Sequence, residues 1–246
     1  VEAGGTRLLV DAGLSARQIT RRLGILGIEA GSLDGVLLTH EHGDHTAGLR
    51  VLLKSLEVPV YATAATSLLV KESHKSLTWR IFESGRGFEI GGIGIESFAV
   101  PHDAVEPVGF VFRNGARSLG LLSDAGHVTR LITQRLRGVR ALFVEANYDE
   151  AMLEADTKRP WSTKQRIASR HGHLSNGQTA ALVSELAECG LERVVLGHLS
   201  ADCNAPEVAI AAVKSGSEEL EVVCACQKEP TVWQEAGGVA TSEVSG

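Results

Sequence analysis

Apolar positions along the chain fall into short runs separated by polar, glycine-containing stretches, and the period changes from one region to the next. Leu8-Leu9-Val10, ending at Asp11-Ala12-Gly13, reads as a buried strand. Ser15 with Gln18 three residues on is a capping-box signal for a helix reaching about Leu26. A second unit follows: a buried strand over 35–39, a His-rich loop over 40–45, a helix from about Ala47 to Ser55, and a strand over 58–61. The loop thus sits at a strand's carboxyl end, where open α/β sheets place their ligands. Between residues 79 and 123 short strands with glycine turns (88–90, 93–100, 109–113, 118–123) predict an antiparallel meander. Beyond it, 141–146 reads as a strand and 149–155 and 162–170 as helices. Ser175 and Gln178 form a second capping box for a helix ending at Gly190, and 194–196 is the last clear strand. The pattern is α/β with some α+β character, one domain over residues 1–228, followed by a Gly/Ser/Glu-rich tail from 229 to 246 that is expected to fray.

Composition narrows the function classes. No apolar run approaches the roughly 20 residues that span a bilayer, so no membrane partner is expected. A net charge of −6 argues against a general nucleic-acid coat, leaving only a local basic patch for such a ligand. The four cysteines, Cys189, Cys203, Cys224 and Cys226, form no C-x-x-C pair and suggest a reducing, cytoplasmic setting. The chain opens on Val1 and enters a strand almost at once, so a preceding segment is expected and a missing signal peptide carries little weight.

The chemistry concentrates in His40-Glu41-His42-Gly43-Asp44-His45, with three imidazoles and a carboxylate in one short loop. Such side chains are exposed, or costly to bury, unless something binds them, and a metal explains the density. Imidazole and carboxylate suit zinc, iron or manganese, and the spacing lets His40 and His42 face one ion while Asp44 and His45 face a second.

The hexad resembles the H-x-H-x-D-H signature of the metallo-β-lactamase superfamily, and the resemblance runs in order from about residue 6 to 215. His102 after Val100-Pro101 looks like the family's third histidine, Asp124 in Ser123-Asp124-Ala125-Gly126-His127 like its bridging aspartate, and His198 like its last histidine. Asp11 resembles the aspartate of its early turn, in a supporting or turn-forming role. The resemblance implies an αβ/βα four-layer sandwich holding two divalent ions, Zn2+ or Mn2+. His40, His42 and His102 would hold one ion, Asp44, His45 and His198 the other, with Asp124 and a water between them. The water is the reagent, and no protein nucleophile is called for.

Further motifs bear on the substrate. Glu145-Ala146-Asn147-Tyr148, Pro160 to Ile167, Gly172-His173-Leu174-Ser175-Asn176 and His198-Leu199-Ser200 together resemble the YycJ/WalJ branch, whose members are cytoplasmic and regarded as DNA exonucleases. The Gly-His-Leu-Ser and Glu-Ala stretches are also similar to those of tRNase Z. The resemblance makes His173 a phosphate ligand or proton donor to the leaving oxygen and Glu145 a residue that orients or relays for a histidine, with Asp44 in the catalytic set. Lys158, Arg159, Lys164 and Arg166 surround Trp161 and, with Ser175, are candidate substrate contacts: cations for phosphates and an indole for a base. The expected partner is therefore nucleic acid, DNA more than RNA. Where the branch often has consecutive asparagines, this chain has Cys203-Asn204, and Cys203 is read as an inert small residue. The alternative is a hydrolase of a small amide, ester, thioester or β-lactam on the same two ions, with the basic segment as mere surface.

Overall fold

The structure, a computed structural model, describes residues 1–54, 56–73, 77–216 and 219–237. In chain order the elements are β1 (Glu2–Ala3), β2 (Thr6–Val10), α1 (Ala16–Ile25), β3 (Gly35–Leu37), α2 (Gly43–Thr46), α3 (Leu49–Leu52), β4 (Val60–Thr63), α4 (Ala64–Ser73) and β5 (Trp79–Phe82). They continue with β6 (Gly87–Ile90), β7 (Ile93–Ala99), β8 (Val108–Asn114), β9 (Arg117–Leu122), α5 (Arg130–Leu136), β10 (Ala141–Glu145), α6 (Glu150–Ala155) and α7 (Trp161–Ile167). The last are α8 (Asn176–Ala187), β11 (Arg193–Gly197), α9 (Pro206–Lys214) and β12 (Glu221–Cys224).

Two sheets form. The first has the order β1-β2-β3-β4-β5, parallel except for β1; the second runs β12-β11-β10-β9-β8-β7-β6, parallel through β9 and antiparallel beyond it. Side-chain alternation along the strands stacks the layers. In β3 and just after it, Val36 and Leu38 pack with Ile19 of α1 and with Leu49 and Leu52 of α3, whereas Leu37 faces the second sheet and joins Phe82, Ile95 and Phe110. On the far side, Val111 and Leu142 pack with Ile132 of α5 and with Leu182 and Val183 of α8. Helices, sheet, sheet and helices make the αβ/βα four-layer sandwich. Leu37 is fully buried between the sheets, so its truncation to alanine would cost about 2–5 kcal/mol.

Local differences from the sequence reading have local causes. The helix expected over 47–55 is the short α3, and a separate short helix, α2, forms on the His-rich loop before it, because the Gly48 N–H donates to Ala12 O at 2.8 Å instead of continuing one helical ladder; Ser55 lies outside the described residues. The Ser175 box is complete, while at Ser15 the hydroxyl accepts from the Gln18 N–H but bonds the Gln18 side chain in place of the reciprocal backbone contact. The helix from 162 begins at Trp161 and stops at Ile167. Helices α4, α5 and α9 and strands β5 and β12 add to the elements read from the pattern. The stretch after Glu229, expected to fray, makes hydrogen bonds from Trp233 Nε1 to Leu26 O, from Arg193 to Glu235 O and from Ser118 N to Ala236 O; residues 238–246 lie outside the described residues. Among the described residues no helix is long and apolar enough to cross a membrane.

Candidate metal centre

The parallel strands of both sheets deliver the polar side chains. Asp11 follows β2, His40 to His45 follow β3, Asp124 follows β9, Glu145 ends β10 and His198 follows β11; His102 comes from the turn after β7. Asp11, Asp124 and His198 each have φ between 55° and 58°, the left-handed bend that turns a side chain across the end of its own strand. Close approach seats the hexad: a Cβ on Gly13 would lie 1.4 Å from the Asp44 carbonyl oxygen, so only glycine lets the two loops touch.

The seven residues expected to bind metal come together. His40, His42 and His102 have ligand atoms within 4.8 Å of one another, and so do Asp44, His45 and His198. Asp124 lies between the groups, with Oδ2 at 3.3 Å from His45 Nε2 and Oδ1 at 3.5 Å from His198 Nε2 and 3.9 Å from His102 Nε2. The outward ring nitrogens are engaged. His45 Nδ1 meets Asp11 Oδ2 at 2.8 Å, His102 Nδ1 meets Gly172 O at 3.1 Å, His198 Nδ1 meets Glu145 Oε2 at 3.0 Å, and His42 Nε2 meets Asp103 O at 3.2 Å. Carbonyl and carboxylate oxygens only accept, so each of these nitrogens carries a proton, and in the neutral ring the other offers a lone pair.

This arrangement fits divalent cations on two observations. His40 Nε2 is buried with no hydrogen-bond partner, an orphan that a metal would satisfy. Burial, followed by the charge of His45, pushes the His40 imidazole down to about 2, so it stays neutral and able to ligate. Burial opposes charge at His198 as well, but the hydrogen bond to Glu145 and the charge of Asp124 carry it up to about 9. At His45 burial is likewise outweighed by the bond to Asp11 and the nearby carboxylates, and its pKa is raised. The centre is a pocket of negative potential that attracts positive charge.

Glu145 is fully buried. Its Oε1 accepts from Ala125 N at 2.7 Å and Leu174 N at 3.0 Å, and its Oε2 from His173 Nδ1 at 3.1 Å and His198 Nδ1 at 3.0 Å. Burial would raise its pKa, but the bonds from His173 and His198 hold it down to about 2. It therefore positions two imidazoles and is closed to substrate. His173 Nδ1 also lies 3.7 Å from Asp124 Oδ1, which brings His173 to the rim of the metal groups.

The expected substrate contacts are placed differently. Ser175 is 2% exposed, with its hydroxyl committed to capping α8, and does not reach the cleft. Lys158 pairs with Asp202 at 2.6 Å, Arg159 with Asp156 at 2.9 Å and Asp202 at 3.0 Å, Lys164 with Glu154 O at 2.8 Å and Arg166 with Asp103 at 2.9 Å. The basic segment is thus largely neutralised from within, while Trp161 stands 69% exposed. Cys203 is buried, receives a bond from Arg159 and lies apart from the metal groups. Two contributors escaped the sequence reading. Thr39 donates from N and Oγ1 to Asp11, both at 2.8 Å, and Asp103 sets Oδ1 3.2 Å from His102 Nε2; its position next to His102 was the available signal.

The sequence pattern of the Beta-lactamase superfamily domain matches residues 6–199. With the sandwich and its metal-ligand cluster, this chain belongs to the metallo-β-lactamase superfamily and is one of its hydrolases. Among individual proteins it is 35% identical to exodeoxyribonuclease YycJ of Bacillus anthracis, over 87% of this chain and 81% of that protein. It is 36% identical to exodeoxyribonuclease WalJ of Streptococcus pneumoniae, over 85% and 79%. Zinc-bound PqqB from Methylobacterium extorquens superposes with a TM-score of 0.73 at 22% identity, over 95% of this chain and 85% of that one, a likeness of fold.

Proposed function

We propose that this protein is a metal-dependent phosphodiesterase acting on nucleic acid, a DNA exonuclease, working in the cytoplasm with two Zn2+ or Mn2+ ions. The observation that carries the reading is His173, hung from Glu145 at 3.1 Å and 3.7 Å from Asp124, beside the seven residues expected to hold the metals. The 35–36% identity to two exodeoxyribonucleases over most of each chain supports it. His40, His42 and His102 would hold one ion, and Asp44, His45 and His198 the other, with Asp124 shared. When bound, such ions supply Lewis-acid polarisation of a phosphoryl oxygen and a water of near-neutral pKa. The chain's own groups do the rest. Glu145 holds His173 through its Nδ1–H, and among the described residues nothing bonds His173 Nε2; from the ring protonated at both nitrogens, Nε2 would give its proton to the leaving alkoxide and leave the neutral imidazole. Trp161 offers a stacking face to an unpaired base.

A second reading, hydrolysis of a small ester, thioester or β-lactam, gains from the internal pairing of Lys158, Arg159, Lys164 and Arg166, which leaves few free cations for phosphates. One experiment separates the two: end-labelled single- and double-stranded DNA and RNA, with a β-lactam in parallel, given to protein loaded with zinc or with manganese. Chelator-sensitive stepwise release of nucleotides supports the first reading. His173→Ala should then lower turnover by about 10²- to 10⁴-fold with metal content intact. β-Lactam turnover without nucleic-acid cleavage selects the second.

A further inference from the structure

Beside the metal-ligand cluster lies a cavity of about 430 Å³, one side of which is formed by Asp44, His45 and His198. Its other walls are apolar: Leu14 and Leu23 from the α1 side, Leu121 and Phe143 from the second sheet. The end away from the metal ligands is bounded by Arg22 and Leu26. Both are tied to the segment after β12, Arg22 through its guanidinium to Gln227 O at 2.6 Å and Lys228 O at 3.2 Å, and Leu26 through its carbonyl to Trp233 Nε1 at 3.3 Å. That segment therefore holds two residues of the cavity wall.

Resting on the phosphodiesterase reading, we infer that this cavity receives the terminal nucleoside of the strand, base first, while the scissile phosphate lies over Asp44, His45 and His198. Three features select this occupant. The volume is near the lower end for small-ligand sites and holds one nucleoside, not a run of polymer. The aliphatic and aromatic walls bury the flat faces of any base but offer few groups to read its edge, so burial is strong and sequence discrimination weak. The end away from the metal ligands is bounded by Arg22 and Leu26, each held by the segment after β12. A strand end fills this volume, whereas an internal nucleotide needs room for the chain on both sides, which is a structural basis for exonucleolytic rather than internal cleavage.

The test measures binding separately from turnover, on the full metal-loaded chain. Calorimetric titration compares deoxyadenosine 5′- and 3′-monophosphate with deoxyribose 5-phosphate, which has the phosphate and sugar but no base. Tighter binding of at least one nucleotide, by about tenfold, is expected from burying one base. Leu23→Trp, which fills the cavity, should bring the nucleotide down to the level of the sugar phosphate. Equal affinities of all three ligands in the unaltered protein overturn the inference, with no need of the variant. So does cleavage of covalently closed single-stranded DNA as fast as its linear form. Hydrolysis of p-nitrophenyl hexanoate that Leu23→Trp blocks, with no nucleotide preference, overturns it too and gives the cavity to an acyl chain. Absence of all DNA cleavage sinks the phosphodiesterase reading instead, since the binding comparison does not depend on it.

Discussion

Glu145→Gln tests the architecture at its most connected point. The Glu145 carboxylate accepts four hydrogen bonds, two from backbone N–H groups of Ala125 and Leu174 and two from the imidazoles of His173 and His198. Glutamine keeps one carbonyl oxygen, which the backbone N–H groups can retain, but its amide nitrogen then faces two Nδ1 atoms that had been donors. Each imidazole must move its proton to Nε2 to accept, and the neutral His198 ring then loses the lone pair that Nε2 would offer the second metal. Two hydrogen bonds to a charged group, at about 1.5–3 kcal/mol each, are removed, so the native orientation of the pair loses roughly 3–6 kcal/mol. A buried charge is removed with them, so the fold should survive. Loss of such an outer partner ordinarily weakens metal affinity by about 10- to 100-fold. Zinc titration by calorimetry, with metal content by mass spectrometry, should show the His198 site weakened to that degree and the His40, His42 and His102 site unchanged. Two tight sites with wild-type affinities would refute the assignment of Glu145 as the group that sets these tautomers. Glu145→Ala would instead strand two buried N–H groups and cost about 2–6 kcal/mol of stability in chemical denaturation.

Other residues give independent checks. Asp11→Asn should weaken metal binding by about 10- to 100-fold in the same titration, because the amide cannot accept from Thr39 N, Thr39 Oγ1 and His45 Nδ1 together. Trp161→Ala should leave thermal stability nearly unchanged, since the indole is 69% exposed, yet weaken single-stranded DNA binding by about 1–3 kcal/mol in fluorescence anisotropy. The tether between the 156–159 turn and Asp202 should be acid-labile. Hydrogen bonds from Arg159 and the Lys158 N–H hold the Asp156 carboxyl down from 3.8 to about 2, so its contribution is full above about pH 4 and is lost as pH falls through about 2. Trp161 fluorescence followed through acid titration should report that step, and Asp156→Asn should abolish it.

What could be read from the chain and what could not follow physical lines. Continuous apolar runs such as 8–10 and 194–196 announce buried parallel strands, and Ser175 with Gln178 announces its helix, because each signal is local and strong. Helix α4 carries Leu68 and Leu69 toward solvent, so its apolar residues trace no clean stripe, and α5 is only one short stretch of 7 residues behind its Thr129 cap. Chemistry-bearing residues were legible because donor type and order suffice to suggest a metal. The pairing within the basic segment was not legible, because charge is visible in a sequence while its partners are not: Asp103 and Asp202 lie far along the chain from the cations they pair with.

The three left-handed residues tie these strands to the site. Non-glycine residues in this conformation cost of order 1–3 kcal/mol each, and glycine would remove the strain at Asp11, Asp124 and His198. Glycine would also remove the carboxylate that orients His45, the carboxylate between the two metal groups and the imidazole that Glu145 holds. A chain optimised only for the sandwich would place glycine at these bends. Keeping charged and aromatic side chains there requires the surrounding hydrogen bonds, from Thr39 to Asp11, from Ser123 to Asp124 and from Asn147 to the His198 carbonyl, to over-determine each bend. The strain falls where the polar cluster is assembled: at Asp124 and His198, which the resemblance placed among the metal ligands, and at Asp11, which it gave a supporting or turn-forming role.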